Sequence, residues 1–209
     1  MDWSVDFIDD ASKENLKLVR DTLDAKHNAE SGNYGDAARI LWEIIIEARH
    51  SKNKKWECMT MVHMGKVYRV LRWSIAVKLL EEAVELASAI GFTKARMMAL
   101  NDLGEMHCSW GQLQSSIKYL EESLSLVDKE DKESMRAVLL NLVVANEGLG
   151  NYAKCKEYLA RIISLDREIG SPEIDEDMDH LDSIEERLAE SDESSLGHGS
   201  KHDDIADTK

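Results

Sequence analysis

Residues 100–126 read LNDLGEMHCSWGQLQSSIKYLEESLSL and contain two amphipathic halves on either side of a glycine. In the first half, Leu100, Leu103 and Gly104 recur at the spacing that places side chains on one side of a helix. Gly111 then interrupts the pattern, and a second apolar stripe follows, formed by Leu113, Ile117, Leu120 and Leu124. The stretch predicts a helical hairpin in which Gly104, having no side chain, lets the two helices approach closely.

The same unit recurs along the chain at a nearly constant spacing. Gly104 lies 39 residues after Gly65. The turn glycines Gly32, Gly111 and Gly150 are separated by 79 and 39 residues, and 79 residues make about two periods. A period of this size is typical of stacked helical repeats. The sequence therefore predicts four hairpins, over residues 11–50, 54–90, 93–128 and 132–169.

The pattern resembles the tetratricopeptide repeat (TPR), whose consensus is W-x-x-L-G-x-x-Y followed by A-x-x-x-F. The second unit shows the likeness in Met61-x-x-Met64-Gly65-x-x-Tyr68 and the later Ala76-x-x-x-Leu80. The resemblance covers roughly residues 15–168. The long period and the missing closing proline are more similar to the variant repeats of kinesin light chains and heterotrimeric-G-protein regulators. The resemblance implies an all-α fold, a right-handed α-solenoid of about four TPR-like hairpins plus a C-terminal capping helix.

Composition changes towards both ends of the chain, and this predicts four segments. Residues 1–10 are acidic with three large apolar side chains, and they either cap the open end of the solenoid or form a docking segment for another protein. Residues 11–170 form the solenoid. Ser171-Pro172-Glu173 is typical of a helix start, so residues 171–190 are predicted to form the capping helix. Residues 191–209 are predicted to be an acidic disordered tail.

Charge and cysteine usage exclude several classes of protein. The formal net charge is −15, and residues 171–209 contribute −11 of it, which argues against nucleic acid as a ligand. The chain contains no apolar run of about 20 residues, so no membrane insertion is expected. Three scattered cysteines and an acidic N-terminus without a signal-peptide pattern predict a cytoplasmic protein with reduced thiols.

The sequence contains no motif that carries catalytic chemistry. It has no Gly-rich phosphate loop, no His-Glu-x-x-His, no Cys-x-x-Cys and no Gly-x-Ser-x-Gly. His198 and His202 precede two aspartates, but they lie in the predicted disordered tail, which does not preorganise metal ligands. We therefore expect a non-enzymatic protein that uses no metal and no cofactor.

The TPR resemblance implies that the first helices of successive units line a concave groove that binds a peptide. Mapped onto this chain, the exposed groove residues would be Lys26, Met59, His63, Lys66, Arg69, Met98, Asn101, Asp102, Glu105 and Asn141. Asn141 is similar to the asparagine that grips the ligand backbone in longer-period relatives. Basic residues concentrate near the second unit, at Arg49, Lys52, Lys54, Lys55, Lys66, Arg69 and Arg72. This concentration predicts an acidic or acidic-amphipathic peptide as the partner.

These observations favour a protein-interaction module, a scaffold or adaptor. A regulatory subunit or domain of a larger enzyme or transcription-factor assembly is the alternative, and it would purify with one stoichiometric large partner. An enzyme of the hydrolase or metal-dependent type, using the histidines, is a third possibility that metal analysis would reveal. The pattern specifies neither the partner's identity nor an oligomeric state.

Overall fold

A computed structural model describes the backbone of residues 13–197 and the side chains of residues 15–190 apart from Trp73. This part of the chain forms nine α-helices and no strand. The helices are α1 (Lys13–Glu30), α2 (Tyr34–His50), α3 (Lys54–Leu71), α4 (Trp73–Ile90), α5 (Thr93–Ser109), α6 (Leu113–Leu126), α7 (Lys132–Gly148), α8 (Tyr152–Ile169) and α9 (Ile174–Gly197). The predicted segment 1–10 and residues 198–209 of the predicted tail lie outside the described residues.

The described residues divide into two compact units, with the boundary between residues 127 and 128. The predicted single solenoid over residues 11–170 stays a prediction. In the first unit each helix from α1 to α6 packs on the next along the chain, and α3 also contacts α5. In the second unit α8 packs on both α7 and α9. This consecutive packing confirms the four predicted hairpins.

One packing arrangement recurs in all four hairpins. At equivalent positions the first helix carries glycine, alanine or valine. The second helix carries a small residue, followed one turn later by leucine. These sets are Ala25, Ala37 and Leu41; Gly65, Ala76 and Leu80; Gly104, Ser116 and Leu120; Val143, Cys155 and Leu159. All of these residues are buried. Each hairpin therefore packs a buried leucine of its second helix at this position, and in the second and third hairpins the approach is so close that a Cβ on Gly65 or Gly104 would lie 2.6 or 2.5 Å from the leucine side chain.

Gly104 shows how narrow this crossing is. A Cβ atom built on Gly104 would lie 2.5 Å from Cγ of Leu120 and 3.3 Å from the carbonyl oxygen of Ser116. The Ser116 hydroxyl donates to the Gly104 carbonyl at 2.7 Å, which satisfies the buried serine. The close approach predicted from the sequence at Gly104 is confirmed.

Helix ends follow the turn chemistry of the sequence, with two differences. Gly91 and Gly170 end α4 and α8 with φ of +69°, the left-handed conformation that glycine adopts readily at helix C-termini. Arg72 takes an extended conformation between α3 and α4, so that hairpin needs no turn glycine. At Ser171 the chain first makes a turn, so α9 begins at Ile174 rather than beside Pro172.

The capping helix is longer than the sequence predicted. It continues to Gly197, whereas composition placed its end at residue 190 and a disordered tail from residue 191. Glu, Ser and Leu, which make up much of this stretch, occur in helices as well as in disordered segments. Polar composition alone therefore does not distinguish a helix from a disordered tail. Among the described residues, no helix is long and apolar enough to cross a membrane.

The Gly104 crossing yields the first prediction. Gly104→Ala should lower the free energy of unfolding by about 1 kcal/mol, because overpacking against Leu120 outweighs the gain in helix propensity. Gly104→Leu should cost roughly 3 kcal/mol. Gly35→Ala is the matched control, because its added Cβ meets nothing within 4 Å. Urea unfolding followed by circular dichroism measures all three, and equal effects of Gly104→Ala and Gly35→Ala would contradict the narrow crossing.

Candidate peptide-binding surface

Two ion pairs join the first helices of successive hairpins. Lys66 Nζ on α3 lies 3.8 Å from Asp102 Oδ2 on α5, and Arg69 pairs with Glu105. Both pairs span 36 residues, so α3 and α5 run parallel with their side chains in register. The sequence period is 39 residues, so the residue equivalent to Lys66 in the next hairpin is Glu105. Lys66 instead meets Asp102, which lies about one helical turn earlier, and Arg69 is offset in the same way. The predicted site residues of α3 and α5 are thus brought together.

Burial of these residues corrects the predicted exposure. Met59 and His63 have relative exposures of 0% and 1%, and Met98, Asp102 and Lys66 have 6%, 8% and 9%. The reason is that α3 packs against α2, α4 and α5, and residues 56–67 of α3 are buried without interruption. Met59 and Met98 belong to the hydrophobic core of the first unit. They are therefore unavailable as the adaptable apolar contacts that the sequence suggested.

The remaining predicted residues are partly accessible. Asn101, Glu105 and Asn141 are half-buried, and Lys26 lies 3.8 Å from Glu30 on its own helix. Asn101 and Glu105 lie on α5 in the first unit, whereas Asn141 lies on α7 in the second unit.

Four residues of the basic concentration around the second hairpin pair with carboxylates, namely Arg49, Lys54, Lys66 and Arg69. Arg49 Nε and Lys54 Nζ donate to the two carboxylate oxygens of Glu57 at 2.7 and 2.6 Å. Burial works to raise the pKa of Glu57, but these two hydrogen bonds and charges outweigh it and hold the pKa below its ordinary value. Together with the pairs made by Lys66 and Arg69, this arrangement reduces the positive potential that favoured an acidic partner.

Sequence reasoning missed the exposed apolar residues of the first helices. Val70 is 52% exposed and follows Lys66 by one helical turn, so the two share a face of α3. Leu23 is 48% exposed and precedes Lys26 by three residues on α1. In the second unit Val144 is 56% exposed and follows Asn141 by three residues on α7. Helical spacing from the predicted residues could have identified all three. We name Leu23, Lys26, Arg69, Val70 and Glu105 the first-helix surface of the first unit.

The reactive side chains of the described residues are poorly placed for catalysis. Burial raises the pKa of the Cys58 thiol to about 12 and that of Cys155 to about 11, and it also raises the pKa of Cys108. The His107 ring stacks on Tyr119 with centroids 5.1 Å apart, and its Nδ1 lies 2.5 Å from Gln112 Oε1. Within the described part of the chain, no group of three or more His, Cys, Asp or Glu side chains could hold a metal ion.

Comparison with solved structures identifies the fold. A putative kinesin light chain with TPR-like repeats from Podosopora anserina superposes with a TM-score of 0.69 at 16% identity, over 86% of this chain and 90% of that one. BtubC (BKLC) from P. vanneervenii gives a TM-score of 0.65 at 14% identity, over 79% of this chain and 68% of that one. A MamA double mutant gives 0.54 at 17% identity, over 88% and 99%.

The chain has the all-α solenoid fold of TPR-like repeats. No family model and no curated protein matches the sequence. At such low identity the structural likeness establishes the TPR-like fold alone, and the resemblance read from the repeat period is confirmed at that level.

The two ion pairs of the TPR-like helices α3 and α5 yield the second prediction. Asp102→Asn should cost roughly 3 kcal/mol of unfolding free energy, because the Lys66 side chain is only 10% exposed and its charge would lose a carboxylate. Glu105→Gln is the matched change at the more exposed pair and should cost about 0.5 kcal/mol. Urea midpoints measured at pH 7 compare them. A cost for Glu105→Gln as large as that for Asp102→Asn would show that burial does not set the strength of these pairs.

Proposed function

We propose that this protein is a non-enzymatic interaction module, a scaffold or adaptor of the cytoplasm, that binds a peptide or helix of a partner protein along its first-helix surface. The observation that supports this is the pairing of Arg69 on α3 with Glu105 on α5, which brings partly exposed side chains of two successive hairpins side by side. Parallel, in-register helices present a ligand with repeated contacts along its length. The TPR-like fold adds support by analogy.

The chemistry of that surface defines the class of partner. Val70 and Leu23 offer apolar area, while Arg69 and Glu105 offer opposite charges at side-chain exposures of 29% and 40%. An incoming carboxylate would have to compete with Glu105 for Arg69, so charge alone gives little affinity. We therefore propose an amphipathic peptide whose apolar side contacts Val70, with acidic residues near Arg69 setting its orientation.

The proposal of a non-enzymatic role rests on the absence of an activated group in the described part of the chain. A nucleophilic cysteine needs a lowered pKa, but burial raises the pKa of all three thiols. His63 is buried and His107 is held by Tyr119 and Gln112, so neither presents an accessible base.

The third prediction tests the surface with peptides selected from a displayed library on the full-length protein. Val70→Glu should weaken their affinity about tenfold, because a charge replaces apolar contact area. Ile46→Glu is the matched control, since Ile46 is 54% exposed on the second helix α2. Both positions are exposed, so the fold should tolerate both changes. Fluorescence anisotropy measures the dissociation constants, and equal weakening by the two variants would place binding elsewhere.

A charge exchange separates the acidic preference from the apolar contact. Arg69→Glu alone should weaken binding of acidic-amphipathic peptides, whereas Glu105→Arg alone should strengthen it. The double variant, Arg69→Glu with Glu105→Arg, restores the internal ion pair with the charges exchanged. It therefore separates the effect of losing the ion pair from the effect of losing the contact with the peptide. If both single variants bind equally well at low salt, the partner is not selected by its acidic residues.

A further inference from the structure

A buried cluster of three charged side chains joins the three helices of the second unit. Arg136 of α7 donates through Nε to Asp166 Oδ1 of α8 and through Nη2 to Asp177 Oδ2 of α9, each at 2.6 Å. The side-chain exposures of Arg136, Asp166 and Asp177 are 17%, 0% and 10%. Two buried carboxylates thus share one guanidinium.

The second oxygen of Asp166 has no donor. Oδ2 is buried and makes no hydrogen bond, although Asp177 lies within hydrogen-bonding reach of Asp166. A buried acceptor without a donor is costly. Asp177 can satisfy it only when its own carboxyl carries a proton, because two ionised carboxylates have no hydrogen to share.

The other polar ties of α9 lie closer to solvent. Arg187 and His180 reach Glu147 of α7 at 2.5 and 3.2 Å, and Glu185 pairs with Lys156 of α8 at 2.8 Å. Side-chain exposures in these ties run from 27% to 50%, so each contributes little to docking. Ile184 is fully buried, and among the described polar contacts of α9 the Arg136 cluster is the least exposed.

We propose that Arg136, Asp166 and Asp177 form a proton-dependent latch, which holds α9 more tightly against α7 and α8 when Asp177 takes up a proton. The proton comes from solvent and remains bonded to the Asp177 carboxyl, which donates a hydrogen bond to Asp166 Oδ2. In that state one cation faces one anion and every buried oxygen has a partner. Loss of the proton leaves two anions on one cation and returns Asp166 Oδ2 to its unsatisfied state.

The surrounding groups decide the sign of the pH dependence. Arg136 from α7 and the N-terminal end of α9 favour the charged form of Asp177, while Glu173 before α9, 4.0 Å from Arg136, adds negative charge. Burial and the hydrogen bond with Asp166 favour the neutral form, and the balance raises the pKa of Asp177. Glu133 of α7 lines the same cavity as Arg136 and Glu173, and Lys132 of α7 pairs with Glu168 of α8. A raised folded-state pKa gives stability that is present at low pH and lost as pH rises through that pKa.

Hydrogen exchange on the full-length protein tests the latch, because it reports the opening of α9 separately from the other helices. After correction for intrinsic exchange, amide protection in α9 should be higher near pH 4, at about the ordinary aspartate pKa, than at pH 7.5, because the raised Asp177 pKa lies above that ordinary value. The change should approach tenfold for each unit, roughly, by which folding raises the Asp177 pKa. Asp177→Asn places an amide donor beside Asp166 at every pH, so the pH dependence of α9 protection should be smaller than in the parent, with the His180–Glu147 pair supplying what is left.

Asp179→Asn is the matched control, since Asp179 is an exposed acid on the same helix and the charge change is identical. It should keep the pH dependence of the parent. The carboxyl carbon shift of Asp177 in the parent protein should also titrate with a midpoint above the ordinary aspartate value of about 3.9. The proposal is overturned if Asp177→Asn keeps the parent's pH dependence, or if Asp177 in the parent titrates at or below that ordinary value.

Discussion

The close crossing of two helices within each hairpin is the constraint on which the structure depends. Gly65 and Gly104 can approach Leu80 and Leu120 this closely only because they have no Cβ, whereas the first hairpin has the slightly larger Ala25 at the equivalent position. Short interaxial distances bring the leucine of the second helix into full burial. The turn between helices has little influence on this crossing, since the second hairpin makes it with an extended Arg72 instead of a glycine turn.

Polar contacts have a different role from the apolar crossings. The crossing points within the hairpins consist of small residues and leucine, whereas α3 and α5 of successive hairpins are also joined by Lys66–Asp102 and Arg69–Glu105. Ion pairs with little exposure add less net stability than apolar packing. A different alignment of the two helices would nevertheless be unfavourable, because it would leave the buried charges without their partners. The charged residues that suggested a ligand site therefore also fix how successive hairpins align.

The sequence predicted the hairpins well because their signals are local. The 39-residue spacing of Gly65 and Gly104 and the turn glycines depend on contacts within one unit, and the structure confirms them. The burial of Met59 and the pairing of Lys66 with Asp102 were not predictable, because both depend on the one-turn offset between helices of different hairpins. The repeat period alone would have paired Lys66 with Glu105.

The same offset limits how the first-helix surface can recognise a partner. Arg69 already has Glu105 beside it and Lys26 has Glu30, so a ligand carboxylate adds to binding only the difference in free energy between its own ion pair and the internal one. The free energy of binding must then come mainly from apolar area, which in the first unit means side chains such as Val70 and Leu23 rather than the buried methionines. Charges on α3 and α5 can still reject wrongly oriented peptides, because a like charge placed beside Glu105 or Arg69 is unfavourable in either direction.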